Sequence, residues 1–323
     1  MNVIIPAAGI GTRLRPLTHT IPKSLIYVAG KPILGHIIDT IPPHLGEFLI
    51  VIGYMADRVR EYVDRHYDLP KRYIFQQERL GLGHAVWLAL QEAHDDQVLI
   101  LLGDTVTEVD LPKVLSLPTS AIGVREVEDP RRFGVVEVKN GMVERIVEKP
   151  SEPRSNLIIA GIYFIKNAEL LRQCLDEIVH KDITTSGEYQ LTDALQRMVE
   201  LGEPMRVFDV PVWLDCGKPE TVLATNRHLL KKHHSGRHLG TSITIPPVYI
   251  DESAKVTTSI VGPYVSVAAH AEIRRAIVRD SIVGANARVS DTLLYKSLIG
   301  AGASVKGTFR RMITGDSSEI LSK

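Results

Sequence analysis

Cysteine is almost missing: the 323 residues hold two, Cys174 and Cys216. Two such distant thiols make no disulfide framework, and without a second pair they build no zinc site. Both are read as reduced, structural residues. A charge of one sign is missing as well, since 38 Lys+Arg stand against 38 Asp+Glu. No global field therefore draws the chain onto a nucleic-acid polymer or an anionic membrane. No apolar run approaches the ~20 residues of a membrane span. The opening Met1-Asn2-Val3-Ile4-Ile5-Pro6 lacks the basic start and apolar length of a secretion signal, so a cytoplasmic protein with no membrane partner is expected. The composition, 44% hydrophobic and 24% charged, is that of a folded chain, and its length exceeds one usual core, so two domains are expected.

What is present is alternation. Apolar runs at 3–6, 48–52, 73–76 and 98–102 are separated by helical patterns at 33–41, 56–67 and 83–93. Strand and helix in turn predict an α/β fold with a Rossmann-like, mostly parallel sheet covered on both faces, whose ligands gather at the carboxyl ends of the strands. Between 119 and 165 the pattern changes to two β runs around Lys139-Asn140-Gly141, which predicts an antiparallel insertion closed by a tight turn. Helices are expected again at 168–179 and 189–201, then a strand near 207–212 and a helix over 219–233. Lys231, Lys232, His233 and His234 end that helix. Cations there suit the helix dipole, and the tract is read so rather than as a metal site.

From residue 250 there is a repeat. Ile250, Val256, Val261, Val267, Ile273, Val278, Val283, Val289, Leu294, Ile299 and Val305 stand five or six residues apart, and 250, 267, 283 and 299 are 17, 16 and 16 residues apart. Three short sides per coil, each turning one aliphatic residue inward, produce this interval, so a β-helix of about three to four coils is expected. The expected division is a first domain at 1–235, a linker at 236–247 and the repeat domain at 248–323.

After the first strand comes Ala7-Ala8-Gly9-Ile10-Gly11-Thr12-Arg13-Leu14, followed by Pro16, Pro22 and Lys23. Two glycines let backbone N–H groups approach phosphate oxygens, and Arg13 and Lys23 bring positive charge to a place where a leaving pyrophosphate builds up negative charge. The loop lacks both the Gly-Lys-Ser/Thr ending of a P-loop and the third glycine of the dinucleotide fingerprint, which argues against both chemistries.

Gly-x-Gly-Thr-Arg-Leu-x-Pro with Pro22-Lys23-Ser24-Leu25 resembles the signature of the sugar-1-phosphate nucleotidyltransferases, notably glucose-1-phosphate thymidylyltransferases and uridylyltransferases. The likeness continues in order through Gln76, Gly81-Leu82-Gly83-His84-Ala85, Leu102-Gly103-Asp104, Phe133-Gly134, Glu148-Lys149-Pro150, Ala160-Gly161-Ile162-Tyr163, Gly187-Glu188-Tyr189-Gln190 and Trp213-Leu214-Asp215-Cys216-Gly217. The ladder, with Gly262-Pro263-Tyr264 and Gly315-Asp316-Ser317-Ser318-Glu319, resembles the left-handed β-helix extension of the longer thymidylyltransferases.

The resemblance implies an enzyme that joins a nucleoside triphosphate, dTTP or UTP, to a sugar 1-phosphate such as glucose 1-phosphate and releases pyrophosphate. A sugar phosphate is already ionised, so its oxygen attacks the α-phosphorus without a dedicated base; the task is positioning and charge stabilisation. Arg13, Lys23 and Lys149 are then the catalytic cations. Ala8, Gly9, Gly11, Thr12, Gln76, Gly81 and Asp104 bind nucleotide, Gln76 and Gly81 reading a pyrimidine edge. Gly134, Glu148, Lys149, Tyr163, Glu188 and Trp213 bind the sugar, and Asp104 and Asp215 hold Mg²⁺, whose hard character suits carboxylates. Without the resemblance Thr185-x-x-Glu188 reads as a helix capping box. His84 is given no catalytic role. A homo-oligomer is expected, with oligomer contacts or regulation as the role of the ladder. Two rivals stand beside this reading: a non-catalytic subunit that binds a nucleotide sugar, and a bifunctional enzyme whose β-helix transfers acyl groups.

Overall fold

Val3, Ile4 and Ile5 of strand β1 (Asn2–Pro6) are fully buried, because β1 runs through the middle of a sheet with strands on both sides. The computed structural model describes residues 1–232 and 239–307. His233, His234 and Gly315-Asp316-Ser317-Ser318-Glu319 lie outside the described residues.

After β1 come β2 (Tyr27–Val28), β3 (Lys31–Pro32), α1 (Ile33–Ile38), β4 (Phe48–Ile52), α2 (Ala56–His66), β5 (Lys71–Phe75), α3 (Leu82–Leu90), β6 (Val98–Leu101), β7 (Thr105–Glu108), α4 (Leu111–Leu115) and β8 (Ser120–Glu126). Then follow β9 (Gly134–Lys139), β10 (Met142–Glu148), β11 (Leu157–Ile165), α5 (Ala168–His180), α6 (Leu191–Glu200), β12 (Met205–Asp209), β13 (Val212–Asp215) and α7 (Pro219–Lys232). Nine strands form one sheet in the order β5-β4-β1-β6-β11-β8-β12-β10-β9.

The sheet is mixed rather than mostly parallel. β5, β4, β1 and β6 are parallel, as the alternation predicts. β11 runs antiparallel to both β6 and β8, and β9 and β10 extend the same sheet. The segment read as an insertion is therefore built into the sheet. Asn140 and Gly141 both have positive φ, 54° and 78°, the pair a type I′ turn needs. On one face α3, α5 and α6 bring Val86, Leu171, Leu175, Leu195 and Met198 against Ile4, Ile100 and Ile122. Asn167 starts α5, its side chain accepting from the Leu170 N–H at 3.0 Å.

Several elements end sooner than the pattern predicts. The Thr40 hydroxyl takes the Ile37 carbonyl at 2.7 Å and Pro42 follows, so α1 stops at Ile38. α6 starts at Leu191 rather than 189, because the Tyr189 N–H is committed to the Leu80 carbonyl and the Tyr189 carbonyl to the Gly83 N–H. The strand expected near 207–212 is two strands, β12 and β13, parted by Val210 and Pro211. Cys174 and Cys216 are buried and free, and burial pushes their thiols up to about 11 and about 12.

The described chain divides into two compact units: Met1–Ile26 with Lys31–Thr225, and Tyr27–Gly30 with the residues from Asn226 on. The division falls inside α7 rather than at 235, because the Asn226 and Arg227 side chains bond to Tyr264, Ser266 and Asp280 of the second unit. That unit holds three four-stranded parallel sheets that the chain visits in turn. Ile250 pairs with Val267, Val267 with Val283 and Val283 with Ile299. Val256, Ile273, Val289 and Val305 make a second column, and Val261, Val278 and Leu294 a third. All eleven aliphatic residues of the repeat fall in these three columns. Ile243–Thr244, in the stretch read as linker, already pairs with Ile260–Val261. The corners stack too: Thr258, Arg275 and Asp291, then Tyr264, Asp280 and Lys296, all have positive φ.

Candidate active site

The carboxyl ends of β1, β5 and β6 open on one cleft, lined by Ala8, Gly9, Lys23, Gln76, Gly81, Asp104 and Glu188 among others. This is where a parallel sheet gathers ligands. Its volume of about 430 Å³ lies within the ~300–1,000 Å³ range of small-molecule sites.

The loop after β1 is shaped by Gly11, at φ 68°. A Cβ there would stand 2.9 Å from Cβ of Lys23 and 3.2 Å from Thr18, whose hydroxyl donates to the Gly11 carbonyl at 2.8 Å. A side chain would thus displace the stem of Lys23 as well as strain the backbone. Thr12 and Arg13 begin a single 3₁₀ turn and are exposed. They do not line the cleft, although the charge of Arg13 is felt by Asp215.

Asp104 follows β6 and Asp215 ends β13. The β7–β13 ribbon brings them together: Asp215 pairs with Thr105, and the Cys216 N–H donates to the Asp104 carbonyl at 3.1 Å. Lys23 Nζ lies 2.5 Å from Asp104 Oδ2, and the Thr105 hydroxyl donates to Oδ1 at 3.1 Å. Burial holds the Asp215 carboxyl above its ordinary range; Lys23 opposes that shift and the Asp104 charge adds to it. Two neighbouring carboxylates, one of them paired with the Lys23 ammonium, are oxygen donors of the kind that suits a hard divalent ion completing its shell with phosphate oxygens and water. Among the described residues no three His, Cys, Asp or Glu side chains converge as a full protein cage.

A second group lies around Glu148. Its Oε2 accepts from the Thr192 hydroxyl at 3.0 Å, and Oε1 is 3.1 Å from Nζ of Lys149. Tyr163 is a core residue, only 3% exposed. Its phenol is held above its ordinary pKa by burial, then by the charges of Glu148 and Asp104, so both carboxylates act on one hydroxyl. Trp213 is half-buried, edge-on to Phe133 with ring centroids 5.3 Å apart. Glu188 caps no helix. Thr185 and Glu188 exchange backbone hydrogen bonds across Ser186 and Gly187, both at positive φ, and this turn sets Glu188 beside Gly81 in the cleft.

Residues 2–232 match the family described as nucleotidyl transferase. The chain belongs to that family. It is 39% identical over 236 residues, 72% of its length, to the bifunctional protein GlmU of Methanococcus maripaludis. The chain spans 55–62% of the length of such bifunctional relatives. With a glucose-1-phosphate thymidylyltransferase of Streptomyces griseus it shares 30% identity over 322 residues, 90% of this chain and 89% of the relative. A UDP-glucose pyrophosphorylase solved with UDP-glucose has the same mixed α/β fold over 72% of this chain and 98% of its own, with TM-score 0.62 and 24% identity.

For a nucleotidyl transferase the cleft adds residues that sequence reasoning passed over. Arg79 and Ser24 line it, and Thr192 and His84 hold Glu148 and Gln76. Arg79 has no motif to mark it. The Ser24 hydroxyl is buried with no hydrogen-bond partner among the described residues, a state that calls for a ligand or ordered water. Space at Gly134 is tighter still. An added Cβ would meet Cγ2 of Thr192 at 2.6 Å and Oε2 of Glu148 at 3.3 Å. Gly134→Ala is therefore expected to displace Glu148, and in an enzyme whose Glu148 holds a sugar phosphate the KM for that substrate rises about tenfold with the KM for nucleotide little changed. Equal changes in both constants would separate Glu148 from the sugar.

Proposed function

We propose that this protein transfers a thymidylyl or uridylyl group from dTTP or UTP to a sugar 1-phosphate, glucose 1-phosphate by the names of its relatives, and releases pyrophosphate. The observation that carries the reading is the pair of Lys23 and Asp104 beside a glycine-bearing loop in the cleft, with Asp215 brought next to Asp104 by the β7–β13 ribbon. No nucleophilic Ser/His or Cys/His pair is needed.

In this reading an oxygen of the sugar phosphate attacks the α-phosphorus in line, a new P–O bond forms, and the bond to the β-phosphate oxygen breaks as pyrophosphate leaves. Ala8, Gly9, Gly11 and Thr12 place backbone N–H groups near the phosphates. Lys23 and Arg13 offset charge on the leaving group, and Lys149 brings in the sugar phosphate while Glu148 and the Gly134 backbone take sugar hydroxyls. Glu188, Tyr163 and Trp213 are assigned to the sugar side, Gln76 and Gly81 to the base. Mg²⁺, held by Asp104 and Asp215, would neutralise phosphate charge as the nucleotide and sugar phosphate approach.

We read the second unit as a left-handed β-helix of four coils serving oligomer contacts or regulation, and place the protein in the cytoplasm as a homo-oligomer with no nucleic-acid polymer as partner. Among the described residues no helix is long and apolar enough to cross a membrane.

The test is pyrophosphate release with Mg²⁺ across dTTP, UTP, CTP, ATP and GTP against glucose, mannose, galactose and N-acetylglucosamine 1-phosphates. Release that needs both substrates is the expected result. Silence across the grid, with a nucleotide sugar still bound, would overturn it in favour of a regulatory subunit.

A further inference from the structure

The Gln76 amide is held by its nitrogen. Nε2 donates to the Gly81 carbonyl at 3.1 Å and meets Nδ1 of His84 at 3.2 Å. A carbonyl only accepts, so the end of the amide that meets Gly81 is the NH₂. An NH₂ that also meets an imidazole nitrogen needs that nitrogen to carry a lone pair, so His84 is neutral with its hydrogen on Nε2. Burial favours the neutral ring and holds its pKa below the ordinary value, against the charge of Glu78 and a hydrogen bond to the Glu78 backbone. The ring is fixed in place by stacking on Trp87, with centroids 5.6 Å apart, and by Tyr189 at 6.3 Å.

Both hydrogens of the amide are thereby spent. Oε1 is left as the one polar atom of the Gln76 side chain with no protein partner among the described residues, on a residue that lines the cleft. His84 itself does not line the cleft, so any effect it has on a ligand passes through Gln76.

We propose that His84 is a positioning residue for base selection: it fixes the Gln76 amide with its carbonyl presented to the base, so that the site takes pyrimidines with an N3–H, uracil or thymine, and rejects cytosine. This rests on reading the cleft as the nucleotide site. Cytosine N3 is an acceptor and would face Oε1, two lone pairs against each other. Flipping the amide to suit cytosine would turn Oε1 onto the Gly81 carbonyl, a repulsion nothing relieves, and onto Nδ1 of His84, which could accept it only by moving the ring hydrogen from Nε2 to Nδ1. Removing the imidazole leaves only the Gly81 carbonyl to oppose the flip, so selection against cytosine weakens.

The experiment measures kcat/KM for UTP and for CTP with glucose 1-phosphate on the same preparation of wild type, His84→Ala and His84→Asn. A ratio of two constants from one preparation cancels the active fraction, so partial misfolding of a variant does not imitate the effect. Wild type is expected to prefer UTP by at least about a thousandfold, as polar-group discrimination allows. His84→Ala should lower that preference about tenfold or more, chiefly through a lower KM for CTP. His84→Asn, whose Oδ1 accepts in place of Nδ1, should restore most of it. An unchanged ratio in His84→Ala, or a wild type that uses CTP as well as UTP, overturns the proposal. If no nucleotide turns over, the ratio of UTP to CTP affinities by calorimetry carries the same test while the catalytic reading falls separately. A chain that binds neither overturns both.

Discussion

Asp104→Asn is expected to cut pyrophosphate release at least about a hundredfold, with nucleotide affinity within a few-fold of wild type. The asparagine keeps the shape of the side chain and an oxygen for the Thr105 hydroxyl, now at 3.1 Å from Oδ1, but loses the negative charge that answers Lys23 and, in the proposed reaction, a divalent ion. Charge that builds up as pyrophosphate departs is felt most in the transition state, so the loss should appear in kcat rather than KM. Stability is a poor explanation for such a loss. The Asp104 side chain is 37% exposed, and an ion pair that meets solvent contributes at most about 1 kcal/mol. Steady-state kinetics over a range of Mg²⁺ decides the matter. A right-shifted Mg²⁺ dependence is expected, and wild-type turnover at every Mg²⁺ concentration would remove Asp104 from the reaction.

Asp104 was legible because of where it stands: a carboxylate directly after an apolar run that reads as a buried strand. Asp215 was less so. Only the likeness of Trp213-Leu214-Asp215-Cys216-Gly217 to the family marks it, and its partnership with Asp104 depends on the β7–β13 ribbon, a pairing across more than a hundred residues that no periodicity reports. Strand β7 itself was missed, and β8 and β11 were covered only as part of the antiparallel stretch expected over 119–165, without bounds of their own. β11 is buried along eight of its nine residues, so it shows no alternation, and a run apolar on both faces has no period from which to infer direction. This is why the parallel half of the sheet and the β9–β10 hairpin could be read, while the direction and place of β11 could not.

The ladder was the most legible part, since inward aliphatic residues recur at a fixed interval and nothing competes with that signal. Its corners were hidden. Residues at positive φ are usually sought at glycine and asparagine, whereas Thr258, Arg275, Tyr264 and Lys296 adopt it here. Nor did the sequence mark the short segment Tyr27–Gly30 as a piece of the same unit. What binds it there is a side chain two hundred residues away.

That side chain is Asn226, fully buried, whose Oδ1 accepts the Ala29 N–H at 2.9 Å and the Ser266 hydroxyl at 2.6 Å while Nδ2 donates to the Tyr264 carbonyl at 3.3 Å. Asn226→Ala strands two buried donors at once. Each unsatisfied group costs about 1–3 kcal/mol, so a loss of about 3–5 kcal/mol is expected in denaturant unfolding. Ser266→Ala removes one donor and leaves Oδ1 with Ala29, and should cost only about 1 kcal/mol. The pair of variants separates a hub from a space-filler. If Asn226 acts through its hydrogen bonds, the double variant should be less unstable than the two single losses added, because Ser266 no longer has a hydroxyl to strand. Strict additivity, or an Asn226→Ala loss no larger than that of Ser266→Ala, would mean that the segment at 27–30 is held by its packing alone.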